Sequence, residues 1–388
     1  MKRSLVIGTL ILTFALAASC GGGGGDEVTE PEVQSGTAEP RPEQPVVSSS
    51  PGEFSRVADM KSLRESPGTV TLQDGRVLVT GGRGRGGGGF WLNYETTTEI
   101  FDPATGKWSL TGETNAAHAA APTIVLADGR VLTAGGEGEQ NIPINSSEIW
   151  DPATGTWTET GPLNEARDLT DPVLLPDGRV LVAGGRAEGL GLMDSVEIFD
   201  PETNEWTLVA PMNERRMEHT TTLLDDGRVL VTGGGKVDPP YSKTGEVYDP
   251  AADTWAIAGE MTSSRTAHSA TKLEDGRVMV VGGRGKRITA DVWDPETMTF
   301  TRTGDSNEPR ADHDAALLAG GQVLVIGGIG RRDSAEVWDA ATGEWEIVGT
   351  LSDARYNYGH TQLIDGRVMV VGGNGIDGVL ASAEIYAP

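Results

Sequence analysis

The chain ends on LASAEIYAP, residues 380–388, and stops where six similar stretches carry on. These are TEIFDPATGKW (98–108), SEIWDPATGTW (147–157), VEIFDPETNEW (196–206), GEVYDPAADTW (245–255), ADVWDPETMTF (290–300) and AEVWDAATGEW (335–345). Each runs nine positions from an acidic residue to a Trp or Phe, and the last copy has no such second half. A matching piece lies at the other end of the chain. FSRVADMKSLR (54–64) aligns without a gap on WAIAGEMTSSR (255–265), which sets Phe54 at the Trp255 position, Met60 at Met261 and Arg64 at Arg265. The two ends are therefore expected to pair and complete one repeat between them, which would protect edges that otherwise invite aggregation.

Working outward, seven Gly-Gly pairs begin at Gly81, Gly135, Gly184, Gly233, Gly282, Gly327 and Gly372. Each ends an apolar run such as GRVLVTGG or GRVMVVGG, continuous rather than alternating, as expected of a strand buried on both faces. A DG turn (GG at Gly320–Gly321) stands before each run and predicts a tight hairpin. Seven equivalent positions, Arg64, His118, Arg167, Arg216, Arg265, Arg310 and Arg355, lie 17 residues before the first Gly of their pair. Only the stretch from the Gly pair to the acidic residue varies, spanning 18, 13, 13, 13, 9, 9 and 12 residues. One loop changes on a constant frame.

Four short antiparallel strands recurring every 45–54 residues describe the blade of a β-propeller. The Gly-Gly pair after an apolar strand, the E-I-[FWY]-D-P strand and the Trp beyond it closely resemble the Kelch repeat over about residues 54–388. That resemblance implies an all-β fold: a seven-bladed Kelch-type β-propeller with four-stranded blades, the last closed by the N-terminal strand. The WD pairs at Trp150, Trp293 and Trp338 are a superficial likeness to WD40 repeats, since Phe and Tyr replace the Trp elsewhere.

Ahead of the repeats, MKR and an apolar stretch ending in small residues read as a signal peptide over residues 1–19. Cys20, the one cysteine, follows at once and resembles the lipidated residue of a bacterial lipobox. Residues 20–50, rich in Gly, Pro, Glu and Ser, read as a solvated tether, leaving 51–388 for the propeller. The expected location is the bacterial cell envelope, lipid-anchored at the outer membrane (periplasmic or surface-exposed), or secreted. A net charge of −26 argues against nucleic acid and against adhesion to anionic lipid, so the lipid anchor would be the sole membrane contact.

The glycine pairs end strands rather than lead into helices, so they suit tight backbone geometry and not a phosphate cradle. The Arg/His ring is expected near one mouth of the central channel, where it would either bond local carbonyls and carboxylates or bind an anionic ligand. His219, His268 and His313 follow their ring arginines by three residues, with Tyr358 in that place in the last unit and His360 two further on. Blade repetition accounts for these histidines without a metal, and no cofactor or metal is expected. Phe90, Trp91 and Tyr94 in the longest variable loop could anchor a peptide or sugar.

Some Kelch-like propellers are enzymes. Copper oxidases related to galactose oxidase use a Tyr–Cys crosslink, for which no cysteine remains once Cys20 is lipidated. Sialate epimerases use channel Arg and acidic groups, but no catalytic motif matches residue by residue. The expected function is a lipid-anchored binding or protein-interaction module, probing a protein or glycan (an anionic one included) as a monomer. The alternative is an enzyme acting on a small anionic sugar, sialate-epimerase-like or on a uronate, in the channel.

Overall fold

The computed structural model describes residues 52–85, 92–235, 241–285, 288–330 and 333–388. Cys20, the tether, Phe90 and Trp91 lie outside the described residues.

Seven four-stranded antiparallel sheets follow one another along the chain. Blade one is built from Gly68–Thr71, Val77–Thr80, Thr98–Asp102 and Lys107–Leu110, and the next five repeat that order. In blade seven, Gly359–Gln362, Val368–Val371 and Ala383–Ala387 are joined on the outside by Glu53–Val57 from the other end of the chain. Phe54 pairs with Tyr386 in that register, as Trp108 pairs with Phe101 and Trp255 with Tyr248 inside continuous blades. The expected closure is present, and it reproduces the register of the unbroken repeats.

All four residues of the second strand are buried in every blade. The cause is that the molecule has seven apolar cores, each lying between neighbouring sheets. Val173 and Leu181 of blade three, for example, pack with Val229 and Tyr248 of blade four. Tyr358 and Val368 of blade seven close against Leu324 and Val337 of blade six. The recurring Trp belongs to these seams: Trp157 Nε1 donates to Thr98 Oγ1, and Trp206 Nε1 to Ser147 Oγ, each on the preceding blade.

The glycine pairs bring adjacent blades into backbone contact. Both residues of the first pair have positive φ (Gly81 at 62°, Gly82 at 86°), a region closed to most side chains. A Cβ on Gly81 would come within 2.0 Å of the His118 carbonyl oxygen. The second glycine's N–H donates to the ring residue of the following blade at all seven seams, from Gly82 to His118 (2.9 Å) round to Gly373 to Arg64 (2.7 Å).

Candidate functional site

The ring residues are inside the blades, not at an open mouth. Arg64, Arg167, Arg216, Arg310 and Arg355 have no solvent exposure, and Arg265 and His118 have only 1%. Each arginine donates to the carbonyl of its own first glycine: Arg64 to Gly81 (2.7 Å), Arg216 to Gly233 (2.6 Å), Arg355 to Gly372 (2.8 Å). This bond is the reason for the constant spacing of 17. Each also meets the buried acid of the third strand, as in Arg167–Glu197 at 2.7 Å and Arg310–Glu336 at 2.6 Å. His118 imitates the arginines, with Nδ1 2.7 Å from the Gly135 carbonyl and Nε2 3.2 Å from Glu148. Burial lowers the Arg64, Arg167 and Arg265 guanidiniums, while their partner carboxylates work the other way. The ligand-binding role expected of the ring has no exposed donor to serve it, because the blade already uses these groups to hold its own loop.

The same acids fasten the crossover that enters each blade. Glu197 accepts from the Asn164 and Glu165 backbone N–H groups, and Glu246 from those of Asn213 and Glu214. Two residues beyond the ring, Ser66, Ala120, Leu169, Glu218, Ala267, Asp312 and Asn357 all have φ near +50°. That turn aims their peptide groups around the channel. Ser66 N donates to Asn357 O (2.7 Å), Ala120 to Ser66 (2.9 Å), Leu169 to Ala120 (3.4 Å), Glu218 to Leu169 (3.0 Å), Ala267 to Glu218 (2.9 Å) and Asp312 to Ala267 (2.9 Å). An arc of six backbone hydrogen bonds thus runs from blade seven through blade one round to blade six.

At the channel mouth the crossover pairs with the residue after the Gly pair, as in Glu65 with Arg83 and Asp168 with Arg186. The loops that follow the Gly pairs thereby open on the same face as the crossovers. Two charged arcs line it. In one, Arg83 Nη1 donates to both Glu137 oxygens (2.7 and 2.9 Å) and Nη2 reaches Glu65 (3.3 Å), which also accepts from Asn357 (3.0 Å). Arg186 meets Glu137 at 3.3 Å and Asp168 more closely. The Tyr94 hydroxyl donates to Glu137 at 2.6 Å, and burial, then this bond, pushes the phenol well above its usual range. In the other arc, Arg284 bridges Glu218 (3.1 Å) and Asp312 (2.9 Å). Burial acts to lower Arg284, but the two carboxylates outweigh it and raise it.

Of the three loop aromatics expected as an anchor, Tyr94 is half-buried and turned to the mouth; the others lie outside the described residues. The sequence reading passed over the charged mouth, although Arg83, Glu137, Arg186 and Arg284 all stand directly after a Gly pair. Aligning that one column would have exposed it.

Behind the mouth lies a channel cavity of about 680 Å³, walled by the innermost strands. His360 Nδ1 is 3.1 Å from Asp314 Oδ1, and Asp314 raises the imidazole although burial opposes it. Asp171 is pushed up to about 6 by desolvation and then by Asp314, with His360 opposing. It has solvent contact, but only with water in a narrow lumen walled by protein. His268 Nε2 bonds Thr220 and Thr232 hydroxyls (3.1 and 3.0 Å), and His313 Nε2 bonds Ser269 (3.0 Å). Among the described residues, no three His, Cys, Asp or Glu side chains gather so as to hold a metal ion.

Blade count, strand order and seam geometry define a seven-bladed β-propeller of Kelch type. The family profile described as the KLHDC2/KLHL20/DRC7 Kelch-repeats domain matches residues 123–328, and the chain belongs to the Kelch-repeat family. None of the curated proteins compared matches it. Among solved structures it is similar to a novel fungal alcohol oxidase of the AA5 family in complex with copper, with a TM-score of 0.69. Identity there is 18%, over 86% of this chain and 76% of that one, a likeness of fold.

Proposed function

We propose that this Kelch propeller is a lipid-anchored extracytoplasmic binding module that recognises a protein or glycan through its loop-bearing face. Cys20 would carry the lipid and residues 20–50 would hold the propeller away from the membrane. The observation that carries the reading is the convergence of length-variable loops on one end of a channel whose frame is the same in all seven repeats. A rigid scaffold with variable loops at one end is how recognition surfaces are commonly built. The mouth arginines are each held by carboxylates, so shape, the Tyr94 ring and hydrogen bonding supply the contacts, rather than free positive charge.

The test is capture of partners from detergent-solubilised envelope by the lipidated full-length chain. Tyr94→Ala should lose the captured species, and Arg277→Ala in a turn remote from the mouth should keep it. Equal capture by both would overturn the reading. Labelled palmitate should enter the wild type and not Cys20→Ser.

A second reading, an enzyme acting on a small anionic sugar, is favoured by one observation: Asp171 and the Asp314–His360 pair line one channel cavity and could exchange protons with a bound molecule. The similar alcohol oxidase brings only its fold to that argument. Screening uronates and sialic acids for turnover separates the two readings.

A further inference from the structure

One contact recurs at three of the seven inner seams, those between blades four and five, five and six, and six and seven. The residue three beyond the ring reaches back to the residue four beyond the ring on the preceding blade. His268 bonds Thr220, His313 bonds Ser269, and the Tyr358 hydroxyl accepts from the Asp314 N–H (3.1 Å). Between blades three and four the two places hold His219 and Asp171, and the contact is not made. Asp171 makes no hydrogen bond among the described residues and faces the lumen. His219 is only 3% exposed and lines the same cavity, yet neither of its ring nitrogens has a hydrogen-bond partner. The Ala183 carbonyl, which accepts from Thr170 Oγ1, has a second lone pair turned toward one ring nitrogen, outside good hydrogen-bond geometry, and the other nitrogen has no acceptor or donor near it among the described residues. Leaving such a polar group unpaired in a protein interior costs free energy, so its presence asks for a ligand.

Three blades further round the ring stands the ion pair of Asp314 and His360. Thr69 Oγ1, buried and without a partner, belongs to the next inner strand and also lines the cavity. Among the described residues, the mouth above has five carboxylates (Glu65, Glu137, Asp168, Glu218, Asp312) around three arginines, so these residues offer more hydrogen-bond acceptors than cationic donors. A neutral imidazole and an unpaired carboxylate are both acceptors for an ammonium group, and the threonine hydroxyl suits a ligand hydroxyl.

We infer that the channel is a binding site for a small hydroxylated amine, with Asp171 and His219 receiving its ammonium group and the Thr69 side seating its hydroxyls. The site is separate from the rim surface proposed above and stands or falls on different residues.

Calorimetric titration of the full chain with glucosamine, glucose and glucuronate at pH 7.5 tests it. Glucosamine should bind at least about tenfold more tightly than glucose, and glucuronate more weakly than either. Asp171→Asn should weaken glucosamine about tenfold and bring it level with glucose, with an unchanged circular dichroism spectrum. His219→Gln should weaken it less, since the amide keeps one acceptor. Glucuronate matching glucosamine, an Asp171→Asn variant of unchanged affinity, or no heat from glucosamine up to roughly 10 mM would overturn the inference. Arg277→Ala, in a turn remote from the channel, should leave the titration unchanged, and Asp171→Asn should still capture envelope partners as the wild type does, which keeps a failure of rim capture distinct from a failure here.

Discussion

Phe54 and Tyr386, 332 positions apart in sequence, pack as a tilted aromatic pair with ring centroids 5.1 Å apart and occupy one rung of the same sheet. The separation equals that of Phe101 and Trp108 within blade one, also 5.1 Å, where the two strands are joined by a turn. Packing across the chain ends thus copies packing across a covalent connection.

Phe54→Ala should destabilise the propeller by about 2–4 kcal/mol, somewhat below the roughly 3–5 kcal/mol of a fully buried Phe because Phe54 is only partly covered. Urea unfolding measures it. Removal of residues 1–57 should do more, because Ala383–Ala387 would become an unpaired edge, and light scattering should then report aggregation. A truncated chain as stable and monodisperse as the full one would contradict the closure.

Arg216→Met should cost about 3–5 kcal/mol, since it removes donors to Gly233, Thr244 and Glu246 and strands a buried carboxylate. Thermal melts would show the loss. An Arg216→Met protein with wild-type stability and impaired ligand capture would restore the ring to a binding role.

His219 titrates at about 3 in the fold because burial, and then the Arg216 charge, disfavour its protonated form. The unfolded chain binds that proton near pH 6.5, so between pH 6.5 and 3 the unfolded state carries more protons and stability falls as the medium is acidified. His219→Gln should flatten the slope of unfolding free energy against pH by up to about 1.4 kcal/mol per pH unit in that window. Burial displaces His268 and His313 in the same direction.

Asp171 has the opposite sign. Its carboxyl is raised to about 6, so the folded state holds a proton that the unfolded state has released between pH 3.8 and 6. Its contribution is complete below pH 3.8 and is lost as pH rises through 6. Asp171→Asn should melt higher than wild type at pH 7.5 and match it at pH 3.5. Equal melting temperatures at both pH values would show that the lumen does not disfavour the charge.

Glu137 accepts from Arg83, Tyr94 and Arg186, so it ties the loop of blade one to blades two and three. Glu137→Gln should speed amide hydrogen exchange in Leu92–Tyr94 with about 1–3 kcal/mol of global destabilisation.

Much of the frame could be read directly from residue order. Identical spacings from ring residue to glycine and from acid to Trp required seven equal units, and the ungapped match of 54–64 to 255–265 required the ends to meet. The charged ring was read only in part. Spacing placed Arg216 beside the crossover but did not say whether its guanidinium entered the lumen or the blade. The constant 17 was itself the trace of the Arg-to-glycine bond, yet it does not state its cause. The mouth was missed because Arg83, Glu137 and Arg186 sit in the loops whose lengths vary, and their pairing joins residues 18 to 54 positions apart.

By itself the sequence determined the number of blades, their register and the closure, because periodic apolar strands and glycines encode local geometry that repeats identically. Only the tertiary structure decided which charges are spent inside the blades and which reach the channel. Those outcomes depend on neighbouring sheets meeting at a seam, where a side chain's partner belongs to another repeat and its direction is set by packing rather than by position in the chain.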